Sequence, residues 1–245
     1  MVHESNLTIC FFWIGNDINI PTLFVRSIRL IMGNDVNIVQ LTNKLTKAVS
    51  GITSIKRLKL SEKIMIARLE AYSEYQNETD YTFFCDADCL LINNLSFPNN
   101  ISQNIILSPR KQDLKMNYNY PEYYEEFVGK RANEVMPFLF CAIGTVGNQQ
   151  LFFRDLLKIC LGLPARFHRW YGDQYALFLT SKDKFSNFEL FDPDIYLHEM
   201  KKPLIPDYLN QIMKKGVQIL HFKGYHSKIH MEQSLLILEK FHEVS

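Results

Sequence analysis

Two carboxylates interrupt an apolar stretch near the middle of the sequence. The aromatic and β-prone run Tyr81 to Cys85 is followed by Asp86 and Asp88, and Leu90-Leu91-Ile92 resumes the apolar pattern, so a strand that ends, turns and resumes is predicted. Because side chains alternate along an extended chain, both carboxylates are expected on one side. They would repel each other without a cation between them, and carboxylate oxygens suit Mg²⁺ or Mn²⁺. The pattern indicates a metal site, with a polar turn as the alternative.

A histidine and two lysines follow a predicted strand later in the chain. The strand from Val217 ends in His221, and Lys223, Gly224 and Lys228 come after it. An imidazole joined to two carboxylates completes a three-ligand set, although a buried core histidine is the alternative. The glycine permits close approach of the backbone, and the lysines supply charge for phosphate groups.

Two predicted helices carry further polar candidates. Asp173 and Gln174 lie at the start of a short helical run, where free backbone N–H groups favour an anion or a polar ligand; a helix cap is the plainer interpretation. Ser61 is expected to cap a helix over Glu62 to Gln76 that leads into the Asp86 strand. Arg68 on that helix is either a clamp for a phosphate or carboxylate or a solvated side chain.

The order of the predicted elements indicates an α/β fold. Strand Leu7 to Ile14 breaks at Gly15-Asn16-Asp17, a helix runs to Met32, and a second strand covers Val36 to Leu41, so a parallel crossover is expected. No glycine-rich dinucleotide motif or Walker sequence accompanies this layout. Further elements continue the domain without a linker, and they are the strands Ile105 to Ser108 and Phe138 to Val146 and the helix Gln150 to Leu161.

Composition is that of an ordinary globular chain. The 245 residues are 47% hydrophobic and 22% charged, and the net charge of +1 gives no argument for nucleic acid or an anionic membrane. The longest apolar stretches are about eight residues, short of the roughly 20 that span a bilayer, so no transmembrane segment is expected. The five cysteines lie in apolar segments without metal-ligand spacing, which favours buried thiols and a cytoplasmic location.

A tyrosine-rich segment lies between Pro109 and Pro137. Tyr118, Tyr120, Tyr123 and Tyr124 fall close together in it. Such rings can stack on sugar faces at an acceptor site, although clustered tyrosines more often pack locally.

These residues together resemble the GT-A glycosyltransferases, and within them the glycogenin-like family 8 enzymes, which transfer a sugar from a nucleotide donor with retention. The likeness rests on the helix from Lys63 to Tyr75, Asp86-Ala87-Asp88, Gly172-Asp173-Gln174 and His221-Phe222-Lys223-Gly224 followed by Lys228, and it extends over most of the chain. It implies a GT-A, Rossmann-like fold with a mixed, mostly parallel central sheet flanked by helices. One departure is the interval from His221 to Lys228, which is one residue longer than is usual in the family.

The resemblance also implies roles for single residues. Mn²⁺ or Mg²⁺ would be bound by Asp86, Asp88 and His221. Asp173 and Gln174 would be catalytic. Contacts to the donor would come from Asp17, Arg68, Asp86, Ala87, Asp88, Lys223, Gly224 and Lys228. The nearest counterpart of the segment that binds donor-sugar hydroxyls is Cys141-Ala142-Ile143-Gly144, and the segment from Tyr225 to His230 is expected to be a loop that orders over the donor.

The sequence therefore predicts a single domain over residues 1–245, with a nucleotide-sugar part at about 1–108 and an acceptor-side and C-terminal part at about 109–245. The expected function is metal-dependent transfer of a hexose from a nucleotide sugar, a UDP-hexose by the resemblance, to a glycan, lipid or protein acceptor, without nucleic acid as a partner. Two alternatives stay open. One is a phosphohydrolase of the haloacid-dehalogenase type with the first Asp as nucleophile, and the other is a non-catalytic module that binds sugar nucleotides.

Overall fold

A seven-stranded sheet forms the centre of the molecule in the computed structural model, which describes residues 6–77, 79–98, 101–111, 115–116, 123–182 and 188–244. The strands in chain order are β1 (Leu7–Phe12), β2 (Asn37–Thr42), β3 (Ser54–Arg57), β4 (Tyr81–Cys85), β5 (Cys89–Leu91), β6 (Ile105–Pro109), β7 (Phe138–Val146), β8 (Glu189–Leu190), β9 (His198–Glu199) and β10 (Ile219–His221). The central sheet has the order β3-β2-β1-β4-β7-β6-β8, and β5-β10-β9 form a second, smaller sheet.

Strand direction makes the central sheet mixed but mostly parallel. Neighbouring strands run parallel except at β7, which is antiparallel to both β4 and β6. The carboxyl ends of β1, β4 and β6 therefore lie at one edge, which is where sheets of this type bind their ligands. With helices on its faces, this arrangement confirms the predicted Rossmann-like α/β fold.

The helices are α1 (Asn19–Met32), α2 (Ile64–Glu74), α3 (Ala132–Val135), α4 (Gln150–Gly162), α5 (Gly172–Ser181), α6 (Pro206–Lys214), α7 (Tyr225–Lys228) and α8 (Met231–Val244), with 3-10 turns at Glu125–Phe127 and Ala165–His168. Among the helices described, none has both the length and the apolar character that a membrane crossing requires.

Alternation along the strands explains the two layers of the core. Ile9 and Phe11 of β1 pack with Phe24 and other residues of α1, whereas Cys10 and Phe12 point the other way and pack with α2, α4 and α5. Each of these four side chains of β1 is at most 9% exposed, as expected of a strand covered on both faces. Helix α1 ends where predicted, because Gly33 takes a φ of 71° that other residues adopt at a cost.

The start of α2 differs from the prediction. The helix begins at Ile64, and its N-cap is Lys63, which makes no capping hydrogen bond through its side chain. The hydroxyl of Ser61 accepts instead from the Lys63 backbone N–H at 3.1 Å, while the Ser61 N–H donates to the Glu70 carboxylate at 2.7 Å. The serine therefore shapes the approach to the helix rather than capping it.

The sheets cross the boundary that divides the predicted parts at residue 108. In the central sheet, β4 pairs with β7, and in the small sheet β5 pairs with β10. The two parts of the sequence therefore share both sheets, in keeping with a single domain.

In the tyrosine-rich segment, Tyr118 and Tyr120 lie outside the described residues. The Tyr124 ring is fully buried and packs against Phe127 and Phe167 at centroid distances of 5.2 and 5.0 Å, so local packing is confirmed for this residue. Tyr123 is 59% exposed.

Candidate active site

The Asp86-Ala87-Asp88 segment is the junction between the two sheets. Strand β4 of the central sheet ends just before it, and β5 of the small sheet begins just after it. The Asp86 backbone N–H donates to the Cys141 carbonyl at 3.0 Å, and the Asp88 carbonyl accepts from the Phe222 N–H at 2.8 Å. Ala87 is 3% exposed and packs into the core, so its side chain is structural here. The backbone of both aspartates is thereby fixed at the edge of the central sheet where β4 ends.

Asp86 is held by an arginine. Arg68 of α2 donates from Nη1 to Asp86 Oδ1 at 2.7 Å, and its Nη2 contacts Asp173 Oδ2. The Asp173 side chain is inaccessible to solvent, the Arg68 side chain is 12% exposed, and the guanidinium also lies 4.8 Å from the centroid of the Phe140 ring. Arg68 thus joins two carboxylates from distant parts of the chain in a largely buried ion-pair network. The alternative of a solvated Arg68 side chain is therefore wrong, and the partners seen are protein carboxylates, so a clamp for a ligand stays a prediction.

Asp88 forms a separate ion-pair group. Its Oδ2 lies 2.9 Å from Lys228 Nζ, and its Oδ1 lies 3.5 Å from His221 Nε2. Burial works to raise the pKa of Asp88, but the neighbouring His221 imidazole and Lys228 ammonium outweigh it and hold the pKa well below its usual range. Burial works to lower the pKa of His221, but Cys141 and Asp88 outweigh it and raise that pKa. His221 and Lys228 are therefore the two basic side chains that contact the Asp88 carboxylate.

The structure brings together some of the predicted metal ligands. Among the described His, Cys, Asp and Glu side chains, donor atoms of Asp88, Cys89 and His221 lie within 4.8 Å of one another, and Asp86 lies outside this group beside Arg68. Asp88 Oδ1 is buried and has no hydrogen-bond partner among the described residues. This oxygen has the 3.5 Å ion-pair contact with His221 but no hydrogen bond, and an oxygen, a nitrogen and a sulfur donor this close together are a set that a divalent ion can bind.

Asp173 and Gln174 open α5 as predicted, and tight packing fixes their position. Tyr171 precedes the helix at a φ of 65°, and a Cβ on Gly172 would come within 2.2 Å of the Phe167 carbonyl oxygen, so only glycine fits there. The Gln174 backbone N–H donates to Asp173 Oδ1 at 2.7 Å. The Asp173 carboxylate therefore contacts Arg68 and the backbone of its own helix, and its side chain has no exposure to solvent.

Arg110 is a site residue that the sequence analysis missed. It follows β6 directly and donates from Nη2 to Gln174 Oε1 at 2.7 Å and from Nε to the Met136 carbonyl at 2.8 Å. Burial lowers its pKa. Its position after a strand parallel to β4 was the available signal, because the carboxyl ends of parallel strands share one edge. Arg110 orients the Gln174 amide.

A cavity of about 410 Å³ adjoins this group. It lies between the end of β6 and the small sheet, and its lining includes Arg110, Asp194, His198, Glu199, His221 and Lys223. Burial lowers the pKa of His198, helped by Lys111 and Lys215, and Tyr208 Oη lies 2.6 Å from its Nε2. The cavity is thus mixed in charge and rich in hydrogen-bonding groups, and it has His221 in its wall.

The other residues predicted to contact the donor are Asp17, Lys223 and Gly224, together with the segment from Tyr225 to His230. Asp17 is exposed, and its Oδ1 accepts from the Asn19 backbone N–H at 2.9 Å at the start of α1. Lys223 is exposed at the cavity, and Gly224 takes a φ of 81° just before α7. The segment expected as a loop over the donor begins with this short helix, whose last residue is Lys228 and whose first, Tyr225, is 79% exposed.

Gly144, in the segment predicted to bind donor-sugar hydroxyls, packs in the core and does not line the candidate site. A Cβ at this position would come within 2.7 Å of the Phe191 ring and 2.8 Å of the Phe97 ring, which belong to the core.

The five cysteines are free and buried, as predicted. Burial raises the pKa of the Cys89 thiol well above its usual range.

Comparison with protein-family models and with curated proteins finds no match for this chain.

Proposed function

We propose that the chain is a metal-dependent glycosyltransferase that moves a hexose from a nucleotide sugar, a UDP-hexose by its resemblance to the family 8 enzymes, with retention of configuration. One observation carries the proposal. Asp88, His221 and Lys228 converge at the carboxyl edge of a Rossmann-like sheet, and the buried Oδ1 of Asp88 accepts no hydrogen bond from the described residues. A cation beside a lysine at this edge is the arrangement that a diphosphate requires.

The charges of the site support the binding of a diphosphate. Asp88 and His221 would hold the divalent ion, with Asp86 as the third ligand that the resemblance implies. When bound, that ion neutralises negative charge on the departing diphosphate. Lys228 is 34% exposed and reaches Asp88 from the short helix α7, so its ammonium can turn from the carboxylate to a phosphate oxygen while remaining near the ion. Both positive charges then stabilise the leaving group.

The second group of residues supports positioning of the sugar. Arg68 and Asp173 are held rigid by their buried contact, and Arg110 fixes the Gln174 side chain through its Oε1. Rigid polar groups beside the reacting carbon stabilise charge without reorganising during the reaction. The cavity of about 410 Å³ beyond His221 has room and hydrogen-bonding groups for an acceptor hydroxyl and its sugar.

Ligand-dependent stabilisation is the first expected result. UDP or a UDP-hexose at about 100 times its Kd should stabilise the fold by about 2.7 kcal/mol in Mn²⁺, or roughly 5–10 °C in Tm for a chain of this size. In EDTA the shift should be much smaller, and GDP and CMP should shift the Tm less than UDP. Thermal unfolding with each nucleotide measures this. The proposal fails if no nucleotide shifts the Tm in either condition, and binding without turnover would favour the non-catalytic alternative.

Stereochemistry is the second expected result. Retention requires that the acceptor approach from the face that the diphosphate leaves, without a water-activating base on the opposite face. The Gln174 amide, held by Arg110, is the polar group that the resemblance places beside the anomeric carbon. An α-linked donor should therefore give an α-linked product, measured from the anomeric proton by NMR. A β-linked product would remove the retaining mechanism and leave metal-dependent transfer standing.

A further inference from the structure

Cys89 faces the candidate metal site from the adjacent strand. It opens β5, and its register partner in the antiparallel strand β10 is His221, so the two side chains lie on the same face of the small sheet. The donor atoms of Asp88, Cys89 and His221 all fall within 4.8 Å of one another. The sequence placed this cysteine in an apolar run, and the pairing of the strands brings its sulfur to the site.

The carboxylate oxygen at this point lacks a partner. Asp88 Oδ1 is buried without a hydrogen bond from the described residues, and it lies 3.5 Å from His221 Nε2. Ligand distances of about 2.0–2.3 Å place the corners of a tetrahedral zinc site roughly 3.3–3.8 Å apart. The oxygen and nitrogen already have that spacing, and the sulfur needs a shift of about 1.5 Å at most. Lys228 occupies the other carboxylate oxygen, Oδ2, so it does not block this corner.

The chemical type of these donors decides which ion they prefer. Mg²⁺ and Mn²⁺ favour oxygen ligands, whereas a sulfur, an imidazole nitrogen and one carboxylate oxygen suit Zn²⁺ with a fourth position open. Asp86, which would make the set richer in oxygen, is bonded to Arg68. The available donors therefore differ from the set of two carboxylates and one imidazole that the sequence predicts.

We propose that Asp88 Oδ1, Cys89 Sγ and His221 Nε2 form a site for Zn²⁺ or a similar thiophilic divalent ion. The inference rests on the proposed function in one respect, since the ion would occupy the place assigned there to Mn²⁺ and compete with it. Binding forms Zn–O, Zn–S and Zn–N bonds, and the Cys89 thiol proton and the His221 imidazolium proton leave to solvent. The fourth position of the ion is left for water or a phosphate oxygen.

Cobalt titration of the metal-free full chain, without nucleotide, tests the site. Co²⁺ takes zinc sites and gives a near-ultraviolet absorption band only when a thiolate is bound to it. We expect that band in the wild-type chain and its loss when Zn²⁺ is added. Cys89→Ala should remove the band and weaken Zn²⁺ binding, measured by competition with a chromophoric chelator, by more than the roughly 10- to 100-fold that loss of a mere supporting group causes. Cys10→Ala is the matched control, because Cys10 is also a fully buried strand cysteine but packs on the α2 and α4 side of the central sheet.

The wild-type spectrum alone can contradict the proposed zinc site. The test therefore does not depend on whether the Cys89→Ala variant folds. Cobalt bound without a thiolate band means that only oxygen and nitrogen ligands are used. No cobalt binding means that the three side chains form no such site, and an unchanged band in Cys89→Ala means that another cysteine is the ligand. None of these results decides whether the protein is a glycosyltransferase. That proposal is tested separately, by turnover of a UDP-hexose in Mn²⁺. A protein that shows the band and lacks turnover would keep the zinc site and lose the proposed function.

Discussion

Replacing Arg68 with methionine is expected to lower the free energy of unfolding by about 3–5 kcal/mol, the range for removing one partner of a buried ion pair. The reason is Asp173, whose fully buried carboxylate depends on Arg68 Nη2 for its charge partner. Asp86 is 28% exposed and can gain water in compensation, whereas Asp173 cannot. Methionine retains most of the volume of the side chain, so the loss reports charge rather than a cavity. Urea unfolding followed by circular dichroism measures the change.

The double variant Arg68→Met/Asp173→Asn separates charge from packing. It should be more stable than Arg68→Met alone, because no uncompensated buried carboxylate remains at position 173. Arg26→Met is the matched control: the Arg26 side chain is 50% exposed and pairs with Glu239 at 2.6 Å on the surface, so its loss should change stability by only about 0–1 kcal/mol. An Arg68→Met effect no larger than the Arg26→Met effect would contradict the importance of the buried network.

Asp88→Asn is expected to reduce Mn²⁺-dependent release of UDP from a UDP-hexose by at least about 100- to 1,000-fold, the loss typical of one group that stabilises transition-state charge. The amide keeps the shape of the side chain but removes the charge that the buried Oδ1 offers to a cation. The fold should survive, since Lys228 is 34% exposed and can turn to water. Initial rates across Mn²⁺ concentrations, with circular dichroism to check folding, measure the effect.

Asp80→Asn is the control for this variant. Asp80 precedes β4, at the opposite end of the same strand, and bonds to Asn6 Nδ2 at 3.0 Å on the surface. Its substitution should leave the rate and its Mn²⁺ dependence unchanged. If Asp88→Asn showed the wild-type rate with the wild-type metal dependence, the carboxylate would have no part in holding the ion.

Local sequence patterns predicted the α/β fold class and its main strands. The apolar runs predicted β1, β4 and β7 because a strand covered on both faces must be apolar throughout, and Gly33 marked the end of α1. The predicted start of α2 was wrong because the Ser61 hydroxyl accepts from the Lys63 N–H before the helix begins, and the Ser61 N–H is held by the side chain of Glu70, nine residues later in α2.

The sequence predicted some residues of the candidate site, but it missed Arg110 and Cys89 and did not predict which side chains contact each other. Alternation placed Asp86 and Asp88 on one side only on the assumption that the chain stays extended through the turn, and the chain instead passes from one sheet to the other there. Arg68 and Asp173 meet across 105 residues, a contact that no local pattern contains. Cys89 was assigned to the core because a thiol in a hydrophobic run is typical of a buried residue. Its position opposite His221 depends on the register of two strands, β5 and β10.

The junction between the two sheets also bears on how the protein is made. Asp88 enters the chain with the first part of the central sheet, but His221 and Lys228 belong to strand β10 and helix α7, well over a hundred residues later. A domain generally folds as a unit, and contacts between segments that are far apart in the sequence form slowly. While the ribosome is still adding residues before 221, β5 lacks its antiparallel partner and Asp88 lacks both of its cations. The group of Asp88, His221 and Lys228 is therefore complete only after residue 228 has been added and β10 has paired with β5.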